Sequence, residues 1–553
     1  MKSKALQTLL ALLVIVSMLA ACAPAANTTN TVEAPVAEEP AAEAPADEAV
    51  TEAPADEAAA SEDLNETKPL VVALTVDVTT WDPDNMSNRN DTNIAEHMFD
   101  RLVYVDDSLQ IQPMLATSWE MLDDNVTWRF HLRDDVDFWD GEHFNAETVK
   151  YVIERGLAKE EYGWTGNTPG YVFDTLGMVG ATVVDDYTVD ITVGGFFDDF
   201  LFYISEVFIH SIDYYKNNSP DVVAEVPNGS GPYKLVEWVR DDHITLERWD
   251  DYWGEKPLLK TITFRPIPEA STAVAELLSG GVDVVSKVPP DQSPTIDASG
   301  VATTKTVSGG RRIYIGFNMR GEGACYDAMK DVRVRQALNM AVDVDTILDS
   351  LFYGNGTREG GMVNPPNKSD AIEAYPYDPE AAKALLAEAG YPDGLGGKCE
   401  IATPNGRYQK DYEISQAVAA YLNEVGVEAE AVPYEWSVYV DMIGNKELPP
   451  LFLLGTGSSF ASAWYDLADF ASPQTNYVGW ESEKWDELQA ELMETYDLDA
   501  RKEITDEMQM LVHDDAPWLF IYMQVDWYAV NNNVNWTPRP DEIMDFKETS
   551  WIQ

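Results

Sequence analysis

Enzymatic chemistry has little to start from in this sequence. The six histidines, His97, His131, His143, His210, His243 and His513, show no HxH or HExxH spacing, so no helical zinc site is expected. There is no GxSxG elbow, and neither Cys325 nor Cys399 stands in a protease context. Gly394-Leu395-Gly396-Gly397-Lys398-Cys399 has the outline of a phosphate loop, yet Pro392 stands where the first glycine is needed and Cys399 where a Ser or Thr is needed, so it reads as a turn. Carboxylates abound as material for the acid/base pair of a surface-anchored hydrolase, but abundance alone identifies no such pair. Recognition chemistry has a better candidate in Pro404-Asn405-Gly406-Arg407-Tyr408-Gln409-Lys410-Asp411, which follows a strand. Arg407 in a strand-to-helix loop can offer a planar fork to a carboxylate, and Tyr408 can pack on a ligand side chain. No catalytic residue, cofactor or metal is expected.

The elements that must position this loop are legible as an α/β alternation. Leu70 to Val76 and Ile313 to Phe317 are β-branched apolar runs, while Val332 to Leu351 and Pro379 to Ala389 carry helical patterns. Asp331 and Asp378 are predicted N-caps, the latter followed by Pro379, and Gly390-Tyr391-Pro392 ends the second helix. Near the end, Ala516 to Tyr522 reads as a buried strand after a long amphipathic helix, so the chain is expected to return to its first lobe.

The N-terminus decides compartment. Lys2 and Lys4 precede the apolar run Leu9 to Leu19, about eleven residues against the roughly 20 that span a bilayer. It ends in Leu19-Ala20-Ala21-Cys22, a bacterial lipoprotein signal that makes Cys22 the lipid attachment site and holds the protein at the outer face of the cytoplasmic membrane. From Ala23 to Glu66 the composition is Ala, Pro, Glu, Asp and Thr, with Glu43 to Ala49 repeated at Glu52 to Ala58. Such a segment cannot bury a core and is expected to be an extended spacer. The whole chain carries 96 acids against 37 bases, a net charge of −59. Most of that excess lies beyond the spacer, which argues against nucleic-acid contact and for a solubilising surface in saline or acidic surroundings. An exported chain permits a disulfide between Cys325 and Cys399, and spacing leaves it open.

Several segments, in order, resemble one family. Pro113 to Glu120, Trp128 to Arg133 and Phe138 to Gly141 form a long specific region. Gly231-Pro232-Tyr233, Leu246-Glu247-Arg248, Asp251 to Gly254, Arg265 to Pro268, Gly281-Val282-Asp283, Asp331 to Leu338 and Asp514 to Trp518 follow it. The chain is similar here to the large peptide and nickel type of ABC-transporter solute-binding proteins, over essentially its whole folded part. These residues mark the fold more than the ligand: Gly141 and Gly231 serve turns, and Trp119, Trp128 and Trp253 are core aromatics.

The resemblance implies a two-lobed clamp with two hinge crossings: a first lobe at 67–310 with an inserted subdomain at about 111–204, a second lobe at 311–520, and a return at 521–553. It implies a monomer that closes on a small ligand and hands it to a permease. Relatives carry Gly-Arg-Tyr at Gly406 to Tyr408 and an aromatic wall at Trp436. They also carry an aspartate for a peptide's ammonium where this chain has Gly455 to Asp466, and here no acid stands at the usual place. Asp466 is the one substitute, while Ser459, Phe460, Ser462 and Trp464 suit an oligosaccharide as well as a peptide. With Arg407 and no acid beside Ser459 and Ser462, an anionic or neutral ligand is expected.

Overall fold

The computed structural model describes residues 63–86, 89–158, 168–457, 462–471 and 476–552. The signal segment, Cys22 and the spacer up to residue 62 lie outside them. A single 11-stranded sheet runs through the molecule in the order Tyr233–Val239, His243–Arg248, Thr261–Pro266, Leu70–Leu74, Val284–Val285, Trp518–Asn531, Ala302–Phe317, Leu451–Thr456, Cys399–Pro404 and Ala429–Tyr434. Thr357–Arg358 pairs beside Trp518–Asn531. Parallel pairing occurs at both ends, around Leu70–Leu74 and around Cys399–Pro404, where helical connections carry the chain back over the sheet. Alternation of strand and helix patterns is what a mixed sheet of this kind requires.

The hinge is made by the two longest strands. Ala302–Phe317 and Trp518–Asn531 pair antiparallel from Ala302 opposite Asn531 to Gly316 opposite Trp518. One end of the pair lies beside Val284–Val285 and the other beside Leu451–Thr456. Both sequence-based lobe boundaries, 310/311 and 520/521, therefore fall inside continuous strands. Trp518 and Trp527, 2% and 1% exposed, bury the second strand on both sides of the crossing.

The first lobe also carries a four-stranded antiparallel sheet in the order Ala116–Met121, Thr127–Leu132, Thr188–Val193, Met178–Asp185. It has its own core, including Phe130, Val149, Val189 and Ile191, on which Trp119, Trp128 and Trp253 pack. Buried alternate residues on Thr188–Val193 give one apolar face to the helix Ala146–Leu157, whose start is closed by a capping box at Asn145.

Several local expectations need correction. The expected spacer ends too late, because Asp63 caps a short helix, Leu64–Thr67, and Glu66 accepts a hydrogen bond from Arg248 at 2.7 Å. The pattern from Val332 to Leu351 is two helices, Val332–Met340 and Val344–Phe352, since Asp343 supplies a second cap to the Thr346 amide. Ala516 is not in the late strand but is the left-handed cap of helix Leu498–Asp515, and the strand starts at Trp518. Gly141, at φ 89°, does close a turn. Gly231 instead allows close approach, as a Cβ there would lie 2.5 Å from the Met98 carbonyl carbon. Cys325 and Cys399 form a disulfide across a sequence separation of 74, joining helix Ala324–Met329 to the start of Cys399–Pro404.

Candidate functional site

Asp411, the first residue of helix Asp411–Glu424, organises the loop before it. Its buried carboxylate accepts hydrogen bonds from the amides of Gly406, Arg407 and Tyr408 at 3.0, 2.9 and 3.0 Å. An acid in a helix's first turn is stabilised by the helix dipole, and here it also fixes the loop in one conformation. Tyr408 then turns inward, 6% exposed, and its hydroxyl donates to the Gly455 carbonyl at 3.1 Å. Burial raises the Tyr408 phenol above its usual range, so it stays a neutral donor.

Arg407 stays exposed, held by ring faces. Its guanidinium carbon lies 5.1 Å from the Tyr408 ring centre and 5.2 Å from that of Trp436. Those two rings meet edge to face at 6.3 Å. Half-buried Trp436 is backed by Tyr439 at 6.1 Å, whose hydroxyl donates to the Leu453 carbonyl at 2.7 Å. The cation–π arrangement orders the arginine, and among the described residues no side-chain hydrogen bond or ion pair takes up its guanidinium, whose five donors suit an acceptor.

Arg407 and Tyr408 line a cavity of about 380 Å³ at the crossing of the two long strands. Arg311 and Asp526 enter it from the two strands, and Lys287 and Glu542 from first-lobe segments. Lys410 and Asp291 also line it, facing each other at 3.7 Å. The opening arises where pairing slips: Ser308 faces Val525 and Arg312 faces Met523, so Gly309, Gly310 and Arg311 bulge against Gln524. A bulge re-aims side chains, and this one sends Arg311 into the cavity. Asp526 is raised to about 7, first by burial and then by the Glu542 charge, against a hydrogen bond from the Gln524 side chain and the pull of Arg311 and Lys287. Lys287, Lys410 and Glu542 adopt left-handed backbone at φ 54°, 57° and 61°.

The remaining residues singled out from sequence go elsewhere. Ser459 and Phe460 lie outside the described residues. Ser462 donates to Asp199 of the inserted subdomain at 2.6 Å, and Trp464 stacks toward Trp485 at 6.5 Å. Asp466, 1% exposed, is committed internally: it pairs with Arg312 at 2.9 Å and accepts the Asn364 amide at 3.0 Å. It is therefore not presented to a ligand in this conformation. The Ser462–Asp199 contact belongs to a seam between inserted subdomain and second lobe, continued by Arg501 with Asp198 at 2.8 Å and Tyr203 with Tyr465 at 6.0 Å. Burial, then the neighbouring Asp198 charge, raises Asp199 well above the usual carboxylate range. Sequence reasoning missed Lys287, Arg311, Asp526 and Glu542, which come together only through the fold. The pair Gly309-Gly310 before Arg311 was the one local signal of a broken strand.

Comparison with known proteins agrees with this architecture. Residues 110–478 match the model of bacterial extracellular solute-binding proteins, family 5 Middle. Heme-binding protein A of Haemophilus influenzae is 28% identical over 481 residues, covering 80% of this chain and 84% of its own. The dipeptide-binding protein of Escherichia coli is 27% identical over 453 residues, covering 77% and 83%. Among solved structures, HbpA2 from Haemophilus parasuis superposes with a TM-score of 0.78 at 24% identity, covering 87% of this chain and 99% of its own. The periplasmic binding protein DppA from Helicobacter pylori, in complex with the peptide STSA, gives 0.68 at 24% identity, covering 88% and 98%. The structural likenesses show a shared periplasmic-binding-protein fold.

Proposed function

Because the chain belongs to the bacterial extracellular solute-binding proteins of family 5, and is thereby an extracytoplasmic receptor of an ABC importer and not an enzyme, we propose that its ligand is a peptide whose carboxylate is received by Arg407. The observation that carries this reading is the arginine fork, ordered over Tyr408 and Trp436 at the rim of the hinge cavity. A cavity of about 380 Å³ sits at the small end of ligand pockets, which run from about 300 to 1,000 Å³. A relative whose name specifies a peptide, the E. coli dipeptide-binding protein, supports the class. Closing the lobes around the ligand brings contacts that exist only in the closed state, and the permease then reads that state.

The finer placement rests on sequence. Cys22 carries a diacylglycerol anchor, and the Ala/Pro/acid spacer lifts the receptor from the membrane surface toward its permease. Replacing Cys22 with alanine should abolish labelling by a radiolabelled fatty acid while ligand binding persists; unchanged labelling refutes the anchor. For the ligand, the test is mass spectrometry of whatever co-purifies with the untagged, delipidated protein. A peptide mass supports the reading, and a tightly held heme or oligosaccharide in its place overturns it.

A further inference from the structure

We infer that this receptor takes a zwitterion, with Asp526 and Glu542 receiving the ligand's ammonium across the cavity from the Arg407 that receives its carboxylate. The inference rests on the peptide reading above and deepens it by assigning the cationic end. It also departs from the expectation that the missing acid near Ser459 and Ser462 leaves the site favouring an anion or a neutral ligand.

Both signs of charge line the cavity, with Lys287, Arg311, Arg407 and Lys410 against Asp291, Asp526 and Glu542, and of these Lys410 and Asp291 face each other. Arg311 and Arg407 come from the bulged strand and the strand-to-helix loop, whereas Asp526 lies on the strand opposite the bulge and Glu542 on the C-terminal return. The bulge is built to admit Asp526: a Cβ on Gly309 would stand 2.4 Å from Asp526 Oδ2, so the carboxylate occupies space that any other residue at 309 would fill. Asp526 is raised first by burial, and the Glu542 charge in the same opening adds to it. Among the described residues, the Gln524 side chain hydrogen-bonds Asp526 and the Arg311 and Lys287 charges act on it, but no ion pair closes on it. An ammonium group, with three donors on one atom, satisfies both carboxylates at once. A purely anionic ligand would place its second negative end against them, which is repulsive discrimination built into the site.

Protonation gives the inference a signature. An ammonium beside Asp526 stabilises its charged form, so binding releases a proton when Asp526 is protonated beforehand. Affinity for a zwitterion therefore rises as pH rises through about 7.

The test uses four probes, trialanine, N-acetyl-trialanine, trialanine amide and the doubly blocked peptide, titrated calorimetrically into the full-length protein, wild type and Asp526→Asn/Glu542→Gln. Wild type should bind trialanine and lose about 100-fold in affinity on N-acetylation. In the double variant, trialanine itself should bind weakly and acetylation should change affinity by less than about threefold. Amide blocking should weaken both proteins alike. Acetylated trialanine binding wild type as tightly as the free peptide overturns the inference and leaves the peptide reading standing. A full acetylation penalty in the double variant also overturns it, since the ammonium then sits elsewhere. Failure of all four probes to bind wild type removes the peptide reading and the inference with it. The single Glu542→Gln variant, on a segment outside the long strands, provides the same comparison should the double variant melt early.

Discussion

Arg311 and Arg312 are consecutive residues on one strand and do opposite work. Arg312 has 3% of its side chain exposed; it pairs with Asp466 at 2.9 Å, donates to the Gly457 carbonyl at 2.6 Å, and donates also to the Met362 carbonyl. Arg311 points through the bulge into the cavity, with a long 3.4 Å contact to the Gly455 carbonyl and the Tyr408 ring centre 5.9 Å away. A strand puts neighbours on opposite faces, so one arginine is locked into the second lobe and the next is left available. The same division separates Asp466 from Asp526. Charges closed within the protein hold the lobes' shape; charges left open at the hinge are what a ligand can read.

Breaking the closed pair should give the largest effect. Arg312→Ala takes the guanidinium away from the buried Asp466 carboxylate, which keeps the Asn364 amide, and should destabilise the protein by about 3 to 5 kcal/mol, measured as a lower midpoint in denaturant. A midpoint unchanged by this substitution would place Arg312 among the open charges and erase the contrast.

The open arginine should behave in reverse. Arg407→Ala should weaken binding of a carboxylate-bearing peptide by about 2 to 5 kcal/mol with melting little changed, and Arg407→Lys should recover only part because an ammonium lacks the bidentate fork. Trp436→Ala, which removes one of the rings that order the arginine, should cost about 1 kcal/mol in the same calorimetric titration. Full affinity in Arg407→Ala with loss in Trp436→Ala would favour a neutral ligand recognised by stacking.

Smaller again is the seam between inserted subdomain and second lobe. Asp198→Asn removes the ion pair with Arg501 but leaves that arginine's bonds to the Leu492 and Thr495 carbonyls. It should reduce ligand-driven compaction in small-angle scattering, with a cost of about 1 kcal/mol to the closed state. Identical scattering curves for wild type and variant would show that the seam does not contribute to closure.

The last effect is spread over a pH range and is not a fixed change at one pH. Asp526 has a folded pKa of about 7, above the ordinary carboxylate value near 4. A raised acid favours the fold most when protonated, so its contribution is complete below about pH 4 and is lost as pH rises through about 7. Asp526→Asn should remove that part of the ligand-free protein's pH–stability slope. A slope identical in the variant would assign the titration to another group.

How much of this was readable in advance follows the range of the interactions. Asp331 and Asp378 were recognisable as caps because each accepts an amide two or three residues along, and the late strand was recognisable from its apolar run. The break at Asp343 was hidden, because Ile347 and Leu348 keep the apolar pattern going across it. Arg407 and Tyr408 could be picked out since the whole loop, including the Asp411 that fixes it, is contiguous. Asp526 and Glu542 could not, because nothing near them in sequence distinguishes them among so many acids; only the fold brings Asp526, on the strand paired with the bulged one, and Glu542, on the C-terminal return, into one cavity with Arg311. Asp466 misled for the same reason in reverse, its partner Arg312 lying far back along the chain.

The contrast between closed and open charge is tested most directly by comparing Asp466→Asn with Asp526→Asn, each assayed for melting temperature and for trialanine affinity in the same buffer. The account predicts that Asp466→Asn lowers the melting temperature while any folded protein binds within about threefold of wild type, and that Asp526→Asn melts as wild type or higher but binds more than about tenfold more weakly. The reverse pattern, with affinity lost in Asp466→Asn and kept in Asp526→Asn, would contradict it and return the ligand's ammonium to the second lobe.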